Sequence, residues 1–203
     1  PAWMWATKRC WSHLLCLVRG KTTVAVNIAL AHAQTKRTLL IDCDMPQGTS
    51  ASWYALRLEA GRTGKLRLDT ADSHLDAMQK TELHTGTTQF IVLDGPPRIA
   101  ELTRAMVLLA DLVLVPAGAS MADLWATGDV LAMVTEAKAV KRIKARLVWT
   151  RHRGFTNQAK ALTEQAKAEL GIKKALAMKM IKTYCFLENN EPQVLKPEFT
   201  VLL

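Results

Sequence analysis

The feature that most limits the fold is an alternation of short apolar runs with segments of helical periodicity. The runs are "RTLLIDCD" at 37–44, "QFIVLDGPP" at 89–97, "ADLVLVPAGAS" at 110–120 and "ARLVWTRHR" at 145–153, and "HLLCLV" at 13–18 reads as a first one. Continuous apolar runs of this kind suit parallel strands buried on both faces. Between them lie "TTVAVNIALAHAQ", "ELTRAMVLLA", the long amphipathic "MADLWATGDVLAMVTEAKAV" and "TNQAKALTEQAKAELG". The last puts Ala159, Leu162, Ala166 and Leu170 on one face and stops at Gly171. Residues 58–88 are polar and weakly patterned, and read as one helix plus connecting loops. The expectation is an α/β fold, a doubly wound and mostly parallel sheet flanked by helices, forming a single domain over 1–203.

In such sheets ligands sit at the carboxyl ends of the strands. Asp42, Asp44, Asp94 and the 17–23 loop all fall there, which predicts one site. Gly20-Lys21-Thr22-Thr23 opens a helix. A lysine there can neutralise a phosphate, and the following hydroxyl can ligate Mg²⁺; the helix N-terminus adds partial positive charge. The same four residues are also compatible with a threonine cap beside a surface lysine. Asp94 ends a strand, as a carboxylate that holds Mg²⁺ through water would, or as a cap for the loop before Pro96. Of Asp42 and Asp44, at most one should point fully into the site; one could orient an attacking water and the other support a metal shell. A turn before Pro46 is the plainer reading of that pair.

The stretches "GKTTVAVNIALAHA", "TLLIDCDMPQGTSASW", "FIVLDGPP", "ADLVLVPAGASMADLWATGDVL" and "VWTRHR" together resemble the ParA/MinD group of deviant Walker-type P-loop ATPases, and most closely the small plasmid-partition ParA proteins. The resemblance runs from about Gly20 to Leu203. It implies a P-loop NTPase-like fold and an ATPase with ATP and Mg²⁺ as cofactors. It also implies a homodimer formed on ATP binding, non-specific DNA binding and a ParB-like centromere-binding partner, in a cytoplasmic, nucleoid-associated protein that segregates DNA. By motif, Gly20, Lys21, Thr22 and Thr23 would bind nucleotide, with Lys21 on the phosphates. Thr22 and Asp94 would hold Mg²⁺, Asp42 would support that metal shell, and Asp44 would position the attacking water. Arg151 would lie near the adenine. A non-catalytic scaffold that keeps the fold and binds DNA or a partner is the rival expectation.

That rival rests on departures from the family pattern. Where the family's phosphate loop reads Lys-Gly-Gly-x-Gly-Lys-Thr-Thr, this chain has Cys16-Leu17-Val18-Arg19 ahead of Gly20. Leucine and valine carry Cβ atoms that restrict positive φ and close approach to an anion. Met45 is inserted between Asp44 and Pro46, an insertion expected to turn Asp44 from the phosphate. Residues 1–19 are atypical, with Trp3, Trp5 and Trp11 out of any period, and read as divergence or as a shifted reading frame. The chain starts at Pro1 and stops at "FTVLL", so the natural N-terminus and one more helix are expected beyond it.

Charge bears on partners. The net charge is +9, and no apolar run reaches the 18–20 or so residues of a membrane span. The balance favours an acidic partner. Basic residues crowd the second half, and Lys160, Lys167, Lys173, Lys174, Lys179 and Lys182 are the expected DNA contacts. Lys160 and Lys167 share a helix face, with Glu164 between them as an ion-pairing alternative. A membrane-positioning role would need a C-terminal amphipathic helix, and "EPQVLKPEFTVLL" carries two prolines, so no membrane partner is expected. The four cysteines, Cys10, Cys16, Cys43 and Cys185, lack metal spacing and suit a reducing cytoplasm.

Overall fold

The computed structural model describes residues 20–97, 101–118 and 120–150, isolated helical positions 161, 164 and 168, and the backbone of 11–15, 175–178 and 199–201. The elements are β1 (Trp11–Leu15), α1 (Lys21–Ala33), β2 (Thr38–Asp42), α2 (Thr49–Glu59), β3 (Leu66–Thr70), α3 (His74–Thr85), β4 (Phe90–Asp94), α4 (Glu101–Leu109), β5 (Leu112–Gly118), α5 (Met121–Trp125), α6 (Gly128–Ala137), β6 (Lys144–Thr150), β7 (Ala175–Met178) and β8 (Phe199–Val201). The strands form one sheet in the order β3-β2-β4-β1-β5-β6-β7-β8. Every neighbouring pair is parallel except β7 with β8. The chain winds to one side of β1 through β4, β2 and β3 and to the other through β5 and β6, so the sheet is doubly wound as the alternation required.

Strands that read as uniformly apolar still sort their side chains with period two. Leu39, Ile41, Ile91, Leu93, Val113, Val115, Leu147 and Trp149 face one layer, where they pack with Ala77 of α3, Met106 and Val107 of α4, and Val130, Met133 and Val134 of α6. Leu40, Phe90, Val92, Leu114 and Val148 face the other, against Val24, Ala25, Ile28 and Ala29 of α1 and the half-buried Trp53 and Tyr54 of α2. Both faces are therefore covered. The same parity carries Asp42, two residues after Leu40, and Asp94, two after Val92, onto the α1 side. Cys43 joins the opposite layer.

Four features differ from the sequence expectations. β1 lies two residues earlier than the apolar run at 13–18. The polar stretch 58–88 hides a strand, β3, besides the helix α3. As the edge strand next to β2, "LRLDT" buries Leu66 fully and leaves Arg67 exposed, so its signal is a weak alternation, not an apolar run. The single long helix expected after β5 is two, α5 and α6, broken at Ala126 and the buried Thr127. Helix α2 and strands β7 and β8 had no counterpart in the sequence expectations.

Candidate functional site

Helix α1 begins at the end of the sheet where β2 and β4 finish. Gly20, its N-cap, takes φ +103°, a left-handed conformation that glycine alone adopts without strain. A Cβ there would stand 3.7 Å from Thr150 Cγ2, so Gly20 lies against the end of β6. The first turn holds Lys21, Thr22 and Thr23 and no acidic residue. Its unpaired N–H groups and the positive end of the helix dipole are therefore offset by no carboxylate of its own.

The carboxylates come from the neighbouring strands. Asp42 and Asp94 are register partners at the ends of β2 and β4, and both are fully buried. They differ in what satisfies them. Asp42 Oδ1 accepts the Asp44 N–H at 3.1 Å and Oδ2 accepts the Ala51 N–H at 2.9 Å. Asp42 thus ties both ends of the connection from β2 to α2 to the strand end. Asp94 Oδ2 accepts the Ser50 hydroxyl at 2.5 Å, while Oδ1 is buried without a hydrogen-bond partner. Burial pushes the Asp94 pKa up to about 6, against the opposing pull of the Ser50 and Thr22 hydroxyls; the Asp42 charge adds to the rise and Lys21 opposes it.

Asp44 is the partly exposed member of the pair. Its carboxyl is raised above the ordinary range by burial first; the Lys21 charge pulls it down and Asp42 pushes it up. Lys21 therefore acts electrostatically on both Asp44 and Asp94. The inserted Met45 is taken up in a turn. Gly48 N–H donates to Asp44 O at 2.9 Å, and Gly48 adopts φ +55° as the N-cap of α2, with Met45 Sδ 3.5 Å from where its Cβ would be.

A buried carboxylate oxygen without a donor is costly unless something else satisfies it. Among the described residues no three His, Cys, Asp or Glu side chains converge as a metal cage. One carboxylate with one hydroxyl is how Mg²⁺ is held when phosphate oxygens and waters complete its shell. Asp94 and Thr22 fit that pattern. Cys43, buried beneath the pair, has its thiol pushed up by burial and by both aspartates, which keeps it protonated.

The structure thus brings together Gly20, Lys21, Thr22, Asp42, Asp44 and Asp94, while Thr23 points to the exposed side of α1. Cys16, Leu17, Val18, Arg19 and Arg151 lie outside the described residues, as do Lys160, Lys167, Lys173, Lys174, Lys179 and Lys182. Glu164 is helical and exposed. Sequence reasoning missed Ser50, which stands two places after Gly48 in "MPQGTSASW" and gives no signal of its own.

Residues 18–170 match the family model described as ATPase MipZ. "Maintenance of carboxysome distribution protein A" of Halothiobacillus neapolitanus is 31% identical over 133 residues, which is 64% of this chain. The chain spans 59% of that protein's length. The "Chromosome-partitioning ATPase Soj" of Thermus thermophilus is 27% identical, over 76% of this chain and 73% of its own. Among solved structures, the ATP complex of a Cyanothece McdA superposes with a TM-score of 0.64 at 16% identity, covering 78% of each chain. That likeness is one of fold.

Proposed function

The chain belongs to the MipZ ATPase family, and on that premise we propose that it is a ParA-like partition ATPase. In this reading it binds ATP with Mg²⁺, dimerises around the nucleotide and binds DNA without sequence preference. A ParB-like partner stimulates its turnover. The cargo is a DNA element or, as the name of the carboxysome-distribution relative suggests, a carboxysome. The observation that carries the reading is the in-register pair Asp42 and Asp94 facing the start of α1, with Lys21 acting on Asp94 and on Asp44.

Each residue has a distinct task in that reading. The Lys21 ammonium and the free N–H groups of the first turn hold the phosphates. Thr22 and Asp94 hold Mg²⁺, which when bound neutralises phosphate charge and orients the terminal group. Asp42 supports this arrangement from behind, since both its oxygens are committed to the loop that carries Asp44 and to the start of α2. Asp44, partly exposed and not locked by a side-chain partner of this kind, is left to accept a hydrogen bond from the attacking water.

Calorimetry with ATP and Mg²⁺ tests the reading against the non-catalytic scaffold. The sequence Cys16-Leu17-Val18 favours the scaffold, because residues with a Cβ disfavour the positive φ that an anion nest needs. Weak binding by the chain itself is expected. Restoration is expected when Cys16→Lys, Leu17→Gly and Val18→Gly are combined. Micromolar affinity in the unaltered chain would refute the loop argument, and no binding in either would leave the scaffold. DNA binding is tested separately with two unrelated duplexes over a salt series. Neutralising four to six or so phosphates gives a slope of log K against log[salt] of about −4 to −5. A flat response, or strong preference for one duplex, would refute contact through phosphates. Unchanged binding by the Lys173→Glu, Lys174→Glu, Lys179→Glu variant would move the surface elsewhere.

A further inference from the structure

The two strand-end carboxylates are engaged by consecutive residues of one helix. Ala51 donates its backbone N–H to Asp42, and Ser50 donates its hydroxyl to Asp94. The rest of helix α2 is less buried. Ser50 is its one fully buried residue, Trp53 and Tyr54 are half-buried, and Leu56 and Leu58 are 67% and 60% exposed. Farther along, the Tyr54 hydroxyl donates to Leu66 O at 3.2 Å. The first turn of α2 is thus attached to the carboxylates of the site, while Trp53 and Tyr54 attach its middle to the α1-side core and to β3.

Ser50 gains nothing from burial as an apolar group, and its hydroxyl has one use here. It occupies Asp94 Oδ2, which selects one rotamer of the carboxylate and leaves Oδ1 as the free acceptor. Hydrogen bonds from outside residues commonly orient a metal-binding carboxylate in this way, and losing one weakens metal binding about 10- to 100-fold.

We propose that Ser50 is a positioning residue for the divalent cation of this site, holding Asp94 so that Oδ1 is presented to the cation or its water, and that through this contact the docking of α2 depends on cation occupancy. The inference rests on the nucleotide-binding reading above, which supplies the phosphates that bring the cation in.

The test uses the loop-restored chain with a non-hydrolysable ATP analogue and Mn²⁺, read by electron paramagnetic resonance. Nucleotide affinity is measured separately in EDTA. Ser50→Ala should weaken Mn²⁺ binding about 10-fold or more, leave nucleotide affinity in EDTA unchanged, and abolish the gain in α2 amide protection that Mn²⁺ and nucleotide produce together. Ser50→Thr, which restores the hydroxyl, should recover Mn²⁺ affinity. In an Asp94→Asn background, Ser50→Ala should cost nothing further, because the two act as one unit. Mn²⁺ affinity within twofold of the parent in Ser50→Ala, or an additive loss in the double variant, would overturn the proposal while the functional reading stood. A Ser50→Ala variant that loses Mn²⁺ and metal-free nucleotide affinity equally would make Ser50 merely structural and would also overturn it. If the loop-restored parent binds no nucleotide, the functional reading fails and this proposal falls with it.

Discussion

Replacing Asp94 with asparagine should make the ligand-free protein more stable at neutral pH. The carboxyl is fully buried, one oxygen has no donor, and its pKa is pushed up to about 6. Because the native state binds this proton more tightly than the unfolded chain, stability falls as pH rises from about 4 to about 6, and the penalty is complete above that range. A rise from the ordinary 3.8 to about 6 corresponds to about 3 kcal/mol against the ionised native carboxylate. Asparagine keeps the shape and can still accept from Ser50, but places an amide donor where Oδ1 was. Leaving that donor unpaired costs about 1–3 kcal/mol, so the net gain at pH 7.5 is about 0–2 kcal/mol. At about pH 5 the parent carboxyl is mostly protonated, and the advantage shrinks by about 1.4 kcal/mol. Urea denaturation of both proteins in EDTA at the two pH values measures this. A variant less stable than the parent at pH 7.5, or a difference that does not change with pH, would refute the reasoning. The same substitution should weaken Mn²⁺ binding measurably in the loop-restored chain, so stability and function pull in opposite directions at this residue.

Other substitutions probe the remaining parts. In the loop-restored chain Asp44→Ala should abolish hydrolysis with ATP still bound, whereas Lys21→Ala should remove nucleotide binding; equal turnover in Asp44→Ala and its parent, by phosphate release, would show that another group orients the water. Trp149 is fully buried between β6 and the α4–α6 layer, so Trp149→Ala should cost about 3–5 kcal/mol in urea denaturation. At Gly118 an added Cβ would run into the Asp123 carboxylate, which accepts the Ser120 hydroxyl at 2.8 Å and so holds Ser120 Oγ where it caps α5 by accepting the Asp123 N–H at 3.1 Å. Gly118→Ala should cost about 1–2 kcal/mol by displacing that cap, and Tm reads the loss.

The apolar runs and the helical segments between them were enough to determine a doubly wound parallel sheet and the end of it where chemistry would gather. Burial on both faces demands continuous apolar strands, and that demand is written residue by residue in "TLLID" and "FIVLD". The parity that turns both Asp42 and Asp94 toward α1 is likewise fixed locally, by the period of a strand. Where the local signal is weak the reading failed. The edge strand β3 is half polar because one side of it meets water, and the break between α5 and α6 turns on a buried Thr127 that no periodicity marks. The division of labour between the aspartates was decided only in three dimensions. Asp42 and Asp94 end similar strands, yet one has both oxygens on backbone N–H groups, whereas the other is served by side-chain hydroxyls, Ser50 on Oδ2 and Thr22 nearby, and its Oδ1 makes no hydrogen bond. The Asp44 N–H is local to Asp42, but Ala51 and Ser50 arrive from α2, 9 and 44 residues along the chain from the carboxylates they serve. Sequence can name a carboxylate, but what desolvates it and what donates to it depend on which distant segment the fold lays against it, and those two quantities set its charge and its use.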